Sequence, residues 1–151
     1  MRRVYFFILL VLIIGKKIES TACGEATTEA CDPVVLRCCD ANFRADLNIP
    51  STVCNGASTY YNPSCYRSQI VQAYRDGKAE GVLMVCKAFA SYRTCLGISG
   101  LSCYSVDYFV QHSFDPNQAK TYVQMIRELT FACGGGLELS QKLPSTKVSS
   151  P

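Results

Sequence analysis

Ten cysteines and a single histidine bound the chemistry open to this 151-residue chain. A Ser-His-Asp or Cys-His mechanism needs an imidazole, and the only one, His112, lies within the run Val110-Gln111-His112-Ser113-Phe114, which reads as the end of a short helix. It reads as an ordinary, partly exposed side chain. Cys38-Cys39 is followed by Asp40, without the histidine immediately before aspartate that secreted phospholipases carry, and no calcium loop of the D-x-D-x-D-G kind occurs. Zinc would require short-spaced Cys or His clusters; there is no C-x-x-C. Gly134-Gly135-Gly136 lacks the lysine and downstream hydroxyl of a phosphate loop and reads as a helix C-cap. No catalytic residue, metal ligand set or cofactor site is therefore expected, and the chain is read as non-enzymatic.

The cysteines point instead to disulfides. Arg2 and Arg3 precede an apolar run from Val4 to Ile14, and Ser20-Thr21-Ala22 offers a small-residue cleavage site. That order reads as a secretory signal peptide over residues 1–22, cut after Ser20 or Ala22. The run is too short to span a bilayer, which takes about 20 residues, and no second apolar run of spanning length is read. The expected location is secreted and extracellular, where cysteines pair. All ten lie beyond the leader: Cys23, Cys31, Cys38, Cys39, Cys54, Cys65, Cys86, Cys95, Cys103 and Cys133. An even count predicts five bridges, while their connectivity stays open.

Cleavage changes the charge argument. The chain has 15 Lys+Arg and 12 Asp+Glu, of which Arg2, Arg3, Lys16, Lys17 and Glu19 leave with the leader, so the remainder is neutral. No basic stripe remains for phosphates or for an anionic membrane surface, so neither nucleic acid nor membrane is expected as a partner of the mature chain.

About 129 residues remain, one domain by length. Asp32-Pro33, Asn62-Pro63 and Asp115-Pro116 each join a capping residue to a proline suited to the first helical position. Helices are expected from Pro33 to Asp46, Pro63 to Asp76, Lys78 to Leu96, Ser105 to His112 and Pro116 to Cys133, closed by Gly77, Gly97 and Gly134. In the first, Val34, Cys38, Ala41 and Ala45 share one face and Leu36, Cys39, Phe43 and Leu47 nearly the opposite one, which predicts burial on two sides, with Arg37, Asp40 and Arg44 on a flank. Adjacent residues on a helix point about 100° apart, so Cys38 and Cys39 should reach different partners. Cys86 and Cys95 lie about two and a half turns apart and should tie the most apolar helix to two separate elements. The fold class is all-α: a single domain, residues 23–140, built as a disulfide-stapled array of four to five helices. A disordered tail is expected over residues 141–151.

Cys38-Cys39 with Phe43 and Leu47, Val85-Cys86-Lys87, Cys95-Leu96-Gly97, Cys103 and the closing Phe131-Ala132-Cys133-Gly134-Gly135-Gly136 resemble a secreted cysteine-rich family expanded in nematodes. The family is catalogued as a domain of unknown function. The resemblance covers roughly Cys31 to Leu139 and implies a secreted helical domain, with no activity or site attached.

Two features could carry binding. Phe131 projects to the polar side of the last helix, near Arg127 and about 160° from Cys133. Either it packs beneath the stretch Cys23 to Cys31 or it is an exposed anchor for a partner protein. Tyr60, Tyr61, Tyr66 and Tyr74 gather around one loop and the next helix; tyrosine combines an apolar body with a polar tip and suits either a core edge or the mouth of a ligand pocket. The expected function is a secreted protein-binding or signalling module, with a carrier of small hydrophobic ligands as the alternative. The partner is accordingly an extracellular protein or a small apolar molecule.

Overall fold

The computed structural model describes residues 22–134. The leader up to Thr21, the end of the expected domain from residue 135 to 140 and the tail over residues 141–151 fall outside the described residues. Within them the chain forms five α-helices and no strand: α1 (Pro33–Asp46), α2 (Pro63–Leu96), α3 (Gly100–Cys103), α4 (Val106–Gln111) and α5 (Pro116–Cys133). Short 3-10 turns cover Val53–Gly56 and Gly97–Ser99.

The start signals act locally. The Asp32 carboxylate accepts from the amides of Val34 and Val35, and that of Asp115 from Asn117 and Gln118. Each satisfies first-turn donors that have no partner inside the helix. Asn62 departs from this pattern. Its backbone lies at φ −136°, ψ 59°, and its side chain makes no capping bond, so Pro63 alone marks that start.

The two central segments read from the sequence form one helical run, α2, interrupted at Lys78, which is non-helical at φ 49°, ψ −127°. The interruption lies where Gly77 marks a boundary, but the left-handed residue is the lysine. At the bend the chain folds tightly enough that a methyl group on Gly81 would overlap the Ala73 carbonyl oxygen. Only a residue without Cβ fits there.

α2 packs against both α1 and α5, and α4 packs on α5. Tyr66, Ile70, Val85, Phe89, Tyr92 and Leu96 are buried along α2. Facing them are Leu36, Cys39 and Phe43 of α1 and Ala119, Tyr122, Val123, Ile126 and Leu129 of α5. Contrary to the sequence reading, the stretch Pro63–Cys103 is long and apolar enough to cross a membrane by length and composition alone. Its buried apolar side chains form the middle of the core instead. The Phe43 and Tyr92 rings stack at 4.9 Å, and the Tyr92 and Tyr122 hydroxyls share a buried hydrogen bond of 2.8 Å.

α1 corrects the expectation of burial on two sides. Leu36, Cys39, Phe43 and Leu47 are buried, but Val34 is 72% exposed, and Ala41 and Ala45 also face solvent. Asp40, placed on a flank by helical projection, is fully buried.

All ten cysteines are bridged: Cys23–Cys38, Cys31–Cys103, Cys39–Cys95, Cys54–Cys65 and Cys86–Cys133. Cys38 and Cys39 reach different partners, the N-terminal stretch and α2. Cys86 and Cys95 tie α2 to α5 and α1. Each bridge is worth about 2–4 kcal/mol, mainly by restricting the unfolded chain. Five disulfides fit an oxidising environment.

The bend makes a testable contrast. Gly81→Ala is expected to lower stability by about 1–3 kcal/mol through overpacking against backbone. Gly77→Ala, where an added methyl meets nothing within 4 Å, should be neutral or stabilising. Thermal unfolding followed by circular dichroism measures both; equal effects would place the tight approach elsewhere.

Candidate functional site

An aromatic cleft of about 370 Å³ is lined by Pro33, Leu36 and Arg37 of α1, Ser58, Tyr60 and Tyr61 of the loop before α2, and Tyr108, Phe109, His112 and Phe114 in and after α4. Its volume lies in the range of small-ligand sites, roughly 300–1,000 Å³.

The wall is a connected set of rings. Tyr61 meets Phe114 at 4.8 Å and Tyr60 at 5.1 Å. Tyr60 meets Phe109 at 5.8 Å and stands edge-on to Tyr122 at 6.1 Å, and Phe109 meets Tyr122 at 5.1 Å. The cleft is thus the outer end of the aromatic core. Tyr60 is buried and braces the wall, whereas Tyr61 is 53% exposed and presents a face to solvent. At the α4 end, the His112 ring lies 4.3 Å from that of Tyr108. Its Nδ1 sits 2.7 Å from the Tyr108 carbonyl oxygen. A carbonyl only accepts, so Nδ1 carries the hydrogen and Nε2 is the nitrogen left to meet a ligand.

Four ties hold the tyrosine loop. Cys54–Cys65 closes it covalently. The Tyr66 hydroxyl donates to the Ala57 carbonyl at 2.7 Å, and Arg44 Nη1 donates to the Gly56 carbonyl at 3.4 Å. Asp40 supplies the fourth: its Oδ1 accepts from the Thr59 amide at 3.0 Å and from the Thr59 hydroxyl. Its Oδ2 accepts from Arg44 Nε at 3.0 Å. A buried carboxylate persists only when so partnered.

The candidate residues named from sequence fall in different places. Tyr60 and Tyr61 come together in the cleft. Tyr66 is buried in the core and acts on the loop through its hydroxyl, so it offers no binding surface. Tyr74 is half-buried on α2, its hydroxyl without a partner among the described residues. Arg127 is exposed on α5. Phe131 is 72% exposed, which corrects the packed alternative: the stretch Cys23 to Cys31 is bridged to α1 and α3 instead. Neither Arg127 nor Phe131 lines the cleft.

Sequence reasoning missed Arg37, Tyr108 and Phe114 as cleft residues. Tyr108 and His112 are four apart on a helix, which is a legible stacking signal, but nothing local shows that α4 faces the tyrosine loop. The sulfurs of Cys23, Cys39 and Cys95 lie within 4.8 Å of one another, yet each belongs to a disulfide and has no thiolate to give a metal.

Asp40 gives the site a pH signature. Burial pushes its carboxyl above the ordinary value of 3.8, against the opposing pull of Thr59 and Arg44. Just above 3.8 the folded state therefore keeps a proton that the unfolded chain has released. The stability from this group is fully present below that window and is lost as pH rises through the folded value. Asp40→Asn removes the titration and turns an NH2 toward Arg44, a cost of about 1–3 kcal/mol. In urea unfolding, the stability gap between wild type and Asp40→Asn should be larger at pH 4 than at pH 7. The reverse order would mean that the hydrogen bonds outweigh burial.

No family model, curated protein or solved structure matches this chain.

Proposed function

We propose that the protein is a secreted, non-enzymatic binding protein whose recognition site is the aromatic cleft between α1, the tyrosine loop and α4. The observation that carries this reading is an exposed ring, Tyr61, set in an aromatic wall on a loop held by a disulfide and three hydrogen-bonded ties. A surface held this firmly loses little conformational freedom on binding. Secretion is supported by the leader pattern and by the five bridges. A binding role rather than catalysis is supported by the way the reactive groups are committed. The cysteines are bridged, Asp40 holds the loop, and His112 Nδ1 is tied to its own helix.

A carrier that encloses its cargo between the helices fits less well, because Phe43, Tyr66, Phe89, Tyr92, Phe109 and Tyr122 fill that space. A small molecule would bind in the surface cleft. One observation favours a protein partner as a second reading: Phe131 stands 72% exposed on α5, and exposed aromatics are frequent interface anchors.

An apolar dye whose fluorescence rises on desolvation tests the cleft. Wild-type protein should enhance it, and Tyr61→Ala should weaken dye affinity by about tenfold, the scale of one aromatic contact with its buried area. No enhancement, or identical affinity in Tyr61→Ala, would sink the cleft as a ligand site. Phe131→Ala should leave stability within about 0.5 kcal/mol and leave dye binding unchanged. If Phe131→Ala abolished capture of a purified extracellular partner, the protein-docking reading would take precedence.

A further inference from the structure

The cleft carries one full charge. Arg37 is the only Lys, Arg, Asp or Glu among its lining residues. The charges beside it are otherwise engaged. Arg44 pairs with Asp40 on the core side of α1. The Asp32 carboxylate caps α1 by accepting from the amides of Val34 and Val35 and keeps its negative charge on the Tyr108 side of the cleft. Among the described residues Arg37 has no salt bridge; the two arginines that do are Arg44 and Arg67. It is exposed on α1, beside the aromatic wall. A guanidinium at the edge of an aromatic cleft offers a planar pair of donors to a carboxylate, while the rings accept a flat apolar body.

We infer that the cleft between α1, the tyrosine loop and α4 binds a small carboxylate with an aromatic body, the carboxylate on Arg37 and the ring against Tyr61 and Phe114. The inference rests on the cleft being the recognition site and adds the sign of the ligand's charge and the residue that reads it. The volume of about 370 Å³ is ample for one ring with a short acid side chain. His112, also in the lining, gives a polar ligand a second hydrogen-bonding position through Nε2.

Three probes of one shape separate the terms: 3-phenylpropionate, its neutral amide, and 3-phenylpropylamine. Binding is read from chemical-shift changes at Tyr61, Phe114 and His112 in the full mature chain. The expected order is carboxylate, then amide, then amine, the carboxylate at least about fivefold tighter than the amide, in the range of a hydrogen bond to a charged group. Arg37→Gln should remove that difference; the side chain is exposed, so folding is expected to be retained, and an unchanged far-ultraviolet spectrum would check it. Equal affinity for carboxylate and amide, or an advantage that survives in Arg37→Gln, would overturn the role of Arg37 while the cleft stands as a site. Shifts confined to residues outside the cleft, or none from any probe at millimolar concentration, would overturn the cleft itself.

Discussion

One turn of α1 holds three parts of the molecule together. Cys38, Cys39 and Asp40 are consecutive, and successive helical side chains diverge by about 100°. Cys38 therefore reaches the N-terminal stretch at Cys23, Cys39 reaches α2 at Cys95, and Asp40 reaches the tyrosine loop at Thr59. Two of these ties are covalent. The third is a buried carboxylate whose two oxygens accept from Thr59 and Arg44. If α1 were rotated by one residue, all three would fail together.

Two further bridges tie the remaining elements to this frame. Cys86–Cys133 fixes α2 to α5, and Cys31–Cys103 carries the N-terminal stretch over to α3. Between them α2 packs against both neighbours, which is why it is apolar enough to resemble a membrane span. Its bend at Lys78 lets one half carry Tyr66 and Ile70 and the other Val85 to Leu96 into the same core. The close approach of Gly81 to the Ala73 carbonyl sets how sharp that bend can be.

The aromatic cleft grows out of this packing. The rings run from Phe43 and Tyr92 through Tyr122 and Phe109 to Phe114 and Tyr61. The inner members supply the core's apolar burial, and the outer ones supply a surface. Because the outer rings lean on buried ones, the cleft inherits the rigidity of the interior. Asp40 links the two roles, since the residue that satisfies its charge also places the loop carrying Tyr60 and Tyr61.

Helix starts and ends were legible in the chain because they depend on neighbours in sequence. Proline at the first position, aspartate before it and glycine at the close act within one turn; α1 and α5 start, and α5 ends, where those signals put them. The divergence of Cys38 and Cys39 followed from helix geometry alone. Tertiary structure decided what depends on elements distant along the chain. Which cysteines pair, whether the Val34 face is covered and whether Phe131 is exposed are settled by which segments meet. So is the placing of Arg37 beside Tyr61 and Phe114. Asp40 shows the limit most clearly. A helical projection puts it on a flank with two arginines, and only the arrival of Thr59 makes that flank a buried site where a carboxylate can remain.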